Sequence, residues 1–300
     1  MYKYIIDCIA KEFYGDKNVV IKRNVWGKTI TTLKCGGCID AVFYPKTVYS
    51  LIKIAEVAKN YGIKPFVSGN CSNLIISDDG YSGIVIKTDF LRGIYLDGNE
   101  LTALSGTKNC ELARFLLTNG VSGLEFLCQI PGTVGGMTFM NAGAVGKDVS
   151  ACLKSCRILT GGEIIGLERK DIPFSYRKSG IDGIIISSTF IVGKSDVKDI
   201  YARMRRNAVI RVNQPKLNTC GSVFKNPCGM KIAEMLDKCG VKGLVYGGMK
   251  VSEKHANFIV NVGGGTSFDA VKLINEMKRR ILNEYNFVPE TEICFLGDFK

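Results

Sequence analysis

Short apolar runs separated by turn-forming residues dominate the chain between residues 19 and 90. Runs of this length, bounded by glycine, proline, asparagine or aspartate, predict β-strands. The predicted strands are "VVIK", "DAVFYP", "PFVSGN", "NLIIS" and "GIVIK". Between them, the apolar positions of "TVYSLIKIAEVAKNYGI" (47–63) recur at helical spacing up to a stop at Asn60 to Gly62. We therefore expect a strand, helix, strand unit in this part of the chain.

Short strands also dominate the pattern from residue 91 to about 195. The sequences "DGN" (97–99) and "TGGE" (160–163) predict hairpin turns, because glycine beside a polar residue suits the tight loops between antiparallel strands. One helix, "CELARFLLTNG", is expected to interrupt these strands. Residues 196–212 then predict a basic helix, after which the character of the sequence changes.

The last hundred residues combine helices with short strands. "MKIAEMLDKCG" predicts a helix, whereas "ANFIVNV" and "TEICFLG" predict strands. A long amphipathic helix is expected to begin at Thr266 and Ser267, ahead of Asp269, since these residues suit an N-terminal cap. Its expected buried stripe is Ala270, Leu273, Ile274, Met277, Ile281 and Tyr285. The whole pattern predicts an α+β fold with two N-terminal lobes, 1–88 and 89–200, and a smaller α/β domain, 201–300.

The composition, 300 residues of which 46% are apolar, predicts a compact core and excludes a disordered chain. A formal net charge of +12 indicates an anionic partner, either nucleic acid, an anionic membrane or small phosphorylated ligands. Basic residues are spread along the chain, and their short clusters fall in helical patterns that favour a solvated helix face. Aromatic residues are not interleaved with them as in many nucleic-acid-binding proteins, so we expect no nucleic-acid partner.

Twelve cysteines are scattered over the chain, and no apolar run approaches the ~18 residues of a membrane span. We therefore expect a cytoplasmic protein with reduced thiols and no membrane partner. Cys35 and Cys38 in "CGGC" suggest half a zinc site or a redox pair, but a second pair at matching spacing is missing, so no metal is expected. His255 is the only histidine, which disfavours a Ser-His-Asp triad and predicts a structural hydrogen bond instead.

Two glycine-bearing loops, "VSGNCSNLIISDDG" (67–80) and "IPGTVGGMTFMNAGAVG" (130–146), are candidates for binding a phosphate or a flat ring. Glycine lets a ligand approach the backbone, and consecutive backbone N–H groups can hold an anion. Each loop by itself favours an ordinary connection over a ligand-binding loop, and neither fits a dinucleotide-binding G-x-G-x-x-G. "GGG" (263–265) has the same two interpretations, with a strand-to-helix turn preferred.

Three further stretches carry candidate side chains. Ser222 in "CGSVFKNP" (220–227) is either a turn residue or a proton donor. "VPETEICF" (288–295) is expected to place Glu290 and Glu292 on one face of a strand, where a buried carboxyl could handle a proton. Arg177 in "SYRKS" is either a residue at a surface strand end or a clamp for a carboxylate.

Taken together, these stretches resemble the UDP-N-acetylenolpyruvoylglucosamine reductase family. The matching segments, in the family's order, are "SGNCSNL", "IPGTVGGMTFMNAGA", "FSYRKS", "GSVFKNP", "VSEKHANFIVN" and "PETEICFLG". They span nearly the whole chain from about residue 19, and the C-terminal region is similar to the shorter form of the family, which lacks a tyrosine-bearing loop. The resemblance implies a two-lobed FAD-binding region of the vanillyl-alcohol oxidase type followed by a substrate-binding domain.

The resemblance also implies site residues. FAD, bound without a covalent link, would be held by Gly69, Asn70, Ser72, Asn73, Pro131, Gly132, Thr133, Gly136, Asn141, Ala142 and Gly143. The residues implied for substrate binding are Tyr176, Lys225 and Asn226. Arg177 and Glu292 would flank the enolpyruvyl carboxylate, and Ser222 would donate the proton.

The implied reaction is the NADPH-dependent reduction of an enolpyruvyl sugar nucleotide by a monomeric enzyme of peptidoglycan synthesis. Two positions depart from the family pattern: Cys71 replaces a usual glycine, and Met249 stands where a small residue is usual. The alternatives are another FAD-dependent oxidoreductase of the same fold, an inactive flavin-bearing scaffold, and a basic nucleic-acid-binding protein.

Overall fold

The computed structural model describes residues 2–299. Its α-helices are α1 (Tyr2–Lys11), α2 (Gly27–Ile30), α3 (Val48–Asn60), α4 (Asn109–Thr118), α5 (Val134–Phe139), α6 (Val197–Ile210), α7 (Ile232–Lys238) and α8 (Ser267–Tyr285). Single turns of 3-10 helix occur at Glu125–Leu127, Val149–Ala151 and Arg169–Asp171. Within residues 2–299, no helix is both long enough and apolar enough to cross a membrane.

The strands are mostly short. They are β1 (Val19–Trp26), β2 (Cys38–Pro45), β3 (Phe66–Ser68), β4 (Leu74–Ile76), β5 (Tyr81–Lys87), β6 (Ile94–Asp97), β7 (Glu100–Leu104), β8 (Val121–Ser122), β9 (Gly143–Ala144), β10 (Lys147–Asp148), β11 (Leu153–Thr160), β12 (Glu163–Glu168), β13 (Ile184–Ile191), β14 (Gly193–Lys194), β15 (Thr219–Ser222), β16 (Val245–Tyr246), β17 (Met249–Val251), β18 (Phe258–Asn261) and β19 (Cys294–Leu296). All five strands predicted before residue 90 are present.

The chain forms two compact units, each built from three separate stretches. Unit 1 takes residues up to 22, 41–70 and 83–212, and unit 2 takes residues 23–40, 71–82 and those from 213 onward. The two N-terminal lobes and the C-terminal domain expected from the sequence, with bounds at 88 and 200, stay a prediction.

Unit 1 contains a five-stranded antiparallel sheet of order β12-β11-β13-β7-β6. Both predicted hairpins are confirmed: Asp97 pairs with Glu100 and Thr160 pairs with Glu163, so each turn has two residues between its strands. A second sheet has the order β1-β2-β5-β3, in which β3 and β5 run parallel. Helix α3 begins at a capping box formed by Thr47 and Ser50.

Helix α5 is a correction to the expected strand-rich pattern, because its sequence was interpreted as part of a glycine-bearing loop. Thr133 caps the helix, since its Oγ1 accepts a hydrogen bond from the Gly136 N–H at 3.4 Å. The two glycines in "VGGMTF" make this sequence a poor match to a helix, because glycine has low helix propensity. Gly135 is required by packing, because a Cβ there would lie 2.8 Å from Cβ of Ser105.

Unit 2 is a four-stranded sheet of order β15-β18-β17-β16 against which helix α8 packs. The predicted cap of α8 is confirmed: Thr266 Oγ1 accepts from the Asp269 N–H (3.1 Å), and Asp269 Oδ2 accepts from the Thr266 N–H (3.0 Å). The predicted stripe is buried except for Tyr285, which is half-buried. Met249, a departure from the family pattern, is fully buried in the core of this unit.

Candidate active site

Ser222 lies at the end of β15, directly after a β-bulge. Strand β15 pairs with β18 through Thr219 opposite Val260 and Ser222 opposite Phe258, so the register shifts between these two pairs. Gly221, inside the bulge, has a φ of +82°, which an L side chain rarely adopts. Bulges redirect side chains and are common next to active sites. The Ser222 hydroxyl is half-buried and makes no hydrogen bond to another described residue, so it is available to a ligand.

Asn257 fixes the strand that follows Ser222. Its Oδ1 accepts from the Phe224 N–H at 2.9 Å, and its Nδ2 donates to the Phe224 carbonyl at 2.8 Å. The Asn257 carbonyl also accepts from the Val223 N–H at 2.9 Å. Asn257 therefore makes the hydrogen bonds that a neighbouring strand would make. Its side-chain amide and its backbone carbonyl satisfy backbone groups that would otherwise be buried without partners.

The segment with Glu292 pairs with the segment after Ser222. Phe224 and Thr291 form an antiparallel bridge, the Glu292 N–H donates to the Val223 carbonyl (2.8 Å), and the Lys225 N–H donates to the Glu290 carbonyl (2.9 Å). The prediction that both glutamates lie within the last strand is wrong, since β19 begins at Cys294. Residues 290–292 instead pair with residues 223–225, and the parallel pairing of β19 with β4 begins after them, at Cys294.

Lys225 and Glu290 form an ion pair with a distance of 2.6 Å between Nζ and Oε1. The Lys225 side chain is 17% exposed, whereas that of Glu290 is 72% exposed. The lysine is therefore held near the Ser222 strand, while its partner is largely solvated. Asn226, also implied for substrate binding, accepts from the Ile232 N–H through Oδ1 at 3.1 Å and thus fixes the start of α7.

Cys220 lies two residues before Ser222 but is unsuited to proton donation. Its side chain is fully buried, and burial raises the pKa of its thiol to about 12. Among residues 2–299, no group of three or more His, Cys, Asp or Glu side chains is arranged to hold a metal ion. All twelve cysteines are free thiols.

Arg177, in unit 1, lies in a tight turn between Ser175 and Lys178. These two residues exchange backbone hydrogen bonds of 2.8 and 3.1 Å, and Arg177 itself has a left-handed φ of +58°. Non-glycine residues in this conformation are uncommon and concentrate at functional sites. The guanidinium stacks over the ring of Tyr176 at 4.9 Å, and its Nη2 donates to the Gly143 carbonyl at 2.9 Å.

Asn141 connects the glycine-bearing loop to the Arg177 turn. Its side chain is 1% exposed, and its Nδ2 donates to the Ser175 carbonyl (2.9 Å) and to Asp148 Oδ2 (3.1 Å). Its Oδ1 accepts from the Ser150 N–H at 3.0 Å. Both donors of the amide are therefore used within the protein. Ala142 and Gly143, the other residues implied for FAD in this segment, are half-buried.

The two glycine-bearing loops meet at Gly69 and Thr133 in unit 1. A Cβ at Gly69 would overlap Thr133 Oγ1, so only glycine allows this approach. The Gly69 carbonyl accepts from Nζ of Lys87, whose side chain is 5% exposed and lies 3.3 Å from Asp89 Oδ1. Sequence reasoning missed Lys87, because a lysine at the end of an apolar strand gives no motif.

The other residues implied for FAD fall in both units. Asn70, Pro131, Gly132 and Gly136 belong to unit 1, and Ser72 and Asn73 belong to unit 2. Asn73 Nδ2 donates to the Glu292 carbonyl at 2.9 Å, and thereby fixes the candidate catalytic glutamate. Cys71 has a φ of +50°, which explains why glycine is usual at this position of the loop.

A cofactor with a diphosphate fits the chemistry of these loops. Gly69 leaves no room for a side chain, and the buried ammonium of Lys87, which is paired with Asp89, lies beside it. The Ser105 hydroxyl, next to Gly135, is buried and has no hydrogen-bond partner among residues 2–299. However, the N–H groups of Val134 and Gly135 donate to the carbonyls of residues 107 and 105, so these two do not form an anion cradle.

Both asparagines of "HANFIVN" have structural roles that the sequence did not reveal. Asn261 is buried, donates to the carbonyls of Leu33, Lys34 and Gly265, and accepts from the N–H groups of Gly263 and Gly265. It thereby shapes the "GGG" segment into a strand-to-helix turn, as preferred from the sequence. His255 accepts from the Asn257 N–H through Nδ1 at 3.3 Å, which confirms its structural hydrogen bond.

Comparisons with known proteins agree with this arrangement. Residues 39–166 match a family described as an FAD binding domain, and residues 214–296 match the C-terminal domain of UDP-N-acetylenolpyruvoylglucosamine reductase. A protein of the latter name from Streptococcus pneumoniae is 37% identical over 89% of this chain and 91% of its own. One from Anoxybacillus flavithermus is 38% identical over 92% and 94%. The crystal structure of the Thermus caldophilus reductase superposes with a TM-score of 0.83 at 30% identity, covering 93% of this chain and 100% of that one.

The fold and the family matches define a flavoprotein oxidoreductase, with an FAD-binding domain and a C-terminal region of the reductase type. Its curated relatives match it over almost their full length. The chain belongs to the UDP-N-acetylenolpyruvoylglucosamine reductase family.

Proposed function

We propose that this chain reduces the enolpyruvyl group of UDP-N-acetylglucosamine enolpyruvate to the lactyl ether of UDP-N-acetylmuramate in peptidoglycan precursor synthesis, with FAD as bound cofactor and NADPH as reductant. Full-length similarity to reductases of this name supports the reaction. The observation that supports it is the antiparallel bridge of residues 223–225 with 290–292, because it pairs the backbone segment that follows Ser222 and contains Lys225 with the segment that contains Glu292.

The cofactor would be held by the small residues of both glycine-bearing loops, with the Lys87 ammonium beside Gly69. When bound, FAD supplies the hydride that the vinyl methylene carbon of the substrate must receive. Hydride addition leaves negative charge on the adjacent carbon and on its carboxylate. The residues of this chain must therefore stabilise that charge and deliver one proton.

Arg177 is proposed to stabilise the charge on the carboxylate. Its guanidinium is always cationic and offers a planar fork of donors that matches a carboxylate. Stacking on Tyr176 and the bond to Gly143 restrict its orientation before substrate arrives. Fixed charge of this kind is often the largest single contribution to catalysis.

Ser222 is proposed to donate the proton to the carbon next to the carboxylate. An alcohol is a weak acid, but a carbanion-like carbon is basic enough to take its proton, and the resulting alkoxide regains a proton from solvent. A positioned general acid contributes about a hundred- to ten-thousand-fold. Glu292 is proposed to share the carboxylate charge by a hydrogen bond, and Lys225 and Asn226 to bind the rest of the substrate.

The two half-reactions of the flavin provide the test. We expect the purified protein to show flavin absorbance, to be reduced by NADPH without oxygen, and to be reoxidised by the enolpyruvyl substrate. Ser222→Ala should leave the reduction by NADPH nearly unchanged and slow the reoxidation by at least about a hundredfold. Ser82→Ala, an exposed serine of the same unit, is the matched control and should behave as the parent protein.

Equal loss of both half-reactions in Ser222→Ala would contradict the proton-donor assignment. A yellow protein that the enolpyruvyl substrate does not reoxidise would favour another oxidoreductase of the same fold. We further propose that the protein is cytoplasmic, since twelve cysteines without a disulfide suit a reducing compartment. We also propose that it is a monomer. Light scattering on a sizing column should give the mass of one chain, and a dimer mass would contradict the monomer.

A further inference from the structure

Three non-glycine residues with left-handed backbone lie close together along the flavin-lining segment and the turn beside it. Asn141 has a φ of +43°, Val145 of +56° and Arg177 of +58°. Each such residue costs roughly 1–2 kcal/mol relative to an ordinary conformation, so the surrounding contacts must maintain it.

The hairpin of β9 and β10 holds the Arg177 turn through two side-chain hydrogen bonds. Asn141 Nδ2 donates to the Ser175 carbonyl at 2.9 Å, and Arg177 Nη2 donates to the Gly143 carbonyl at 2.9 Å. A third hydrogen bond, from the Ser179 N–H to the Phe139 carbonyl at 3.2 Å, joins the end of the turn to α5. Ser175, Tyr176 and Lys178 are exposed, so these bonds tie the turn to the rest of unit 1 and restrict the guanidinium together with its stacking on Tyr176.

Asp148 fixes the amide that makes the first of these bonds. Its Oδ2 accepts from Asn141 Nδ2 at 3.1 Å, and its Oδ1 accepts from the Ser150 hydroxyl at 2.6 Å. The Ser150 N–H donates in turn to Asn141 Oδ1 at 3.0 Å. The side chains of Asn141, Asp148 and Ser150 and the Ser150 backbone N–H form a closed network, which permits one orientation of the Asn141 amide.

We propose that Asn141 and Asp148 are positioning residues that set the guanidinium of Arg177 for the substrate carboxylate. Asn141 lies in the loop implied for FAD, but both of its amide donors are used within the protein. It therefore acts on the reaction through the Arg177 turn rather than through the cofactor. The inference rests on the proposed function, because it requires that Arg177 bind the carboxylate.

Asp148→Ala tests the proposal without changing a residue that would contact either ligand. We expect FAD content and reduction by NADPH to stay within about twofold of the parent protein, and reoxidation by substrate to slow at least about tenfold, since small misplacements of catalytic groups have large effects. Asp148→Asn should largely restore the rate, because its amide oxygen can still accept from Asn141 and its amide group can donate to Ser150 Oγ.

A double-mutant cycle separates positioning from general damage. If Asp148 acts through Arg177, Asp148→Ala should slow reoxidation no further in an Arg177→Ala background. Additive losses, equal loss of both half-reactions, or an unchanged reoxidation rate in Asp148→Ala would each overturn the proposal. Normal reoxidation in Arg177→Ala alone would instead overturn the carboxylate-binding role on which the proposal rests.

Discussion

The Ser222 strand and the Arg177 turn are held in place by different kinds of interaction. Ser222 is followed by Val223 and Phe224, which are 0% and 1% exposed in the core of unit 2, and the strand is bonded to residues on both sides. The Arg177 turn has exposed neighbours, with Tyr176 at 46%, and depends on a few side-chain hydrogen bonds. Ser222, the proposed proton donor, is therefore tied to the folding of its unit, whereas we expect that Arg177, proposed to bind the carboxylate, can be displaced while unit 1 stays folded.

The largest effect is expected when the hydrogen bonds that hold the Ser222 strand are removed. Asn257→Leu has a similar volume but leaves the N–H and carbonyl of Phe224 buried without partners. We expect unit 2 to lose about 3 kcal/mol of stability, since each unsatisfied backbone group costs about 1–3 kcal/mol. A urea titration followed by circular dichroism measures the loss.

Asn275→Leu makes the same substitution at an exposed position of α8 and is the matched control. Its stability should stay within about 0.5 kcal/mol of the parent protein. If the two variants unfold at the same urea concentration, the Ser222 strand does not depend on Asn257 for its position.

At the Arg177 turn, we expect a smaller loss of stability together with a specific loss of activity. In Gly143→Ala, the new Cβ would lie 2.5 Å from the Lys147 carbonyl oxygen, 2.8 Å from Cβ of Asp148 and 2.9 Å from Arg177 Nη1, so we expect both the β9–β10 hairpin and the guanidinium to shift. We expect a cost of about 1–2 kcal/mol from overpacking and reoxidation by substrate slowed about tenfold. Stopped-flow absorbance of the flavin measures the rate.

Gly166→Ala is the control for this variant, because a Cβ at this position of β12 meets no atom within 4 Å. It should change neither stability nor reoxidation. A Gly143→Ala protein that loses stability but keeps the full reoxidation rate would show that the Arg177 turn is less sensitive than the comparison requires.

The smallest effect is expected on the solvent side of α8. Glu276 accepts hydrogen bonds from Arg279 and Arg280, which lower the pKa of its carboxyl from 4.5 to about 2. Because the pKa is lower in the folded state, the stabilisation is present above pH ~4.5 and is lost as the pH falls towards 2. Glu276→Gln should therefore cost less than about 1 kcal/mol at pH 7, as exposed ion pairs contribute little, and nothing near pH 2. Urea midpoints of both proteins at several pH values measure this cost. A cost that grows as the pH falls would contradict the prediction.

Periodicity predicted the long elements of this protein correctly. Helix α8 has a capping box and six apolar positions at helical spacing, and both signals act locally, so the structure matches the sequence there. The hairpins at residues 97–100 and 160–163 were also predictable, because a two-residue turn specifies its own strand pairing. Helix α5 was not predicted, because the glycines at 135 and 136 disfavour a helix. The close contact with Ser105, which requires glycine at position 135, is visible only in the structure.

The chemistry of single residues was less accessible from the sequence. Nothing local shows that Asn257 replaces a strand for Phe224, or that Asn141 holds a turn 34 residues away. Lys87 gave no signal, because its partner Gly69 belongs to another loop. The sequence predicted that Glu290 and Glu292 lie in the last strand, but that strand begins only at Cys294. The segment before it forms the bridge to Phe224 instead.

The sequence by itself determined the class of fold, the main helices and hairpins, and the family, because these depend on local periodicity and on motifs in a fixed order. Only the tertiary structure decided that the segment after Ser222 pairs with the segment that contains Glu292, and which asparagines bind backbone groups through their side chains. The reason is that a hydrogen bond between distant residues depends on which backbone groups are left without partners, and that is settled only when the chain has folded.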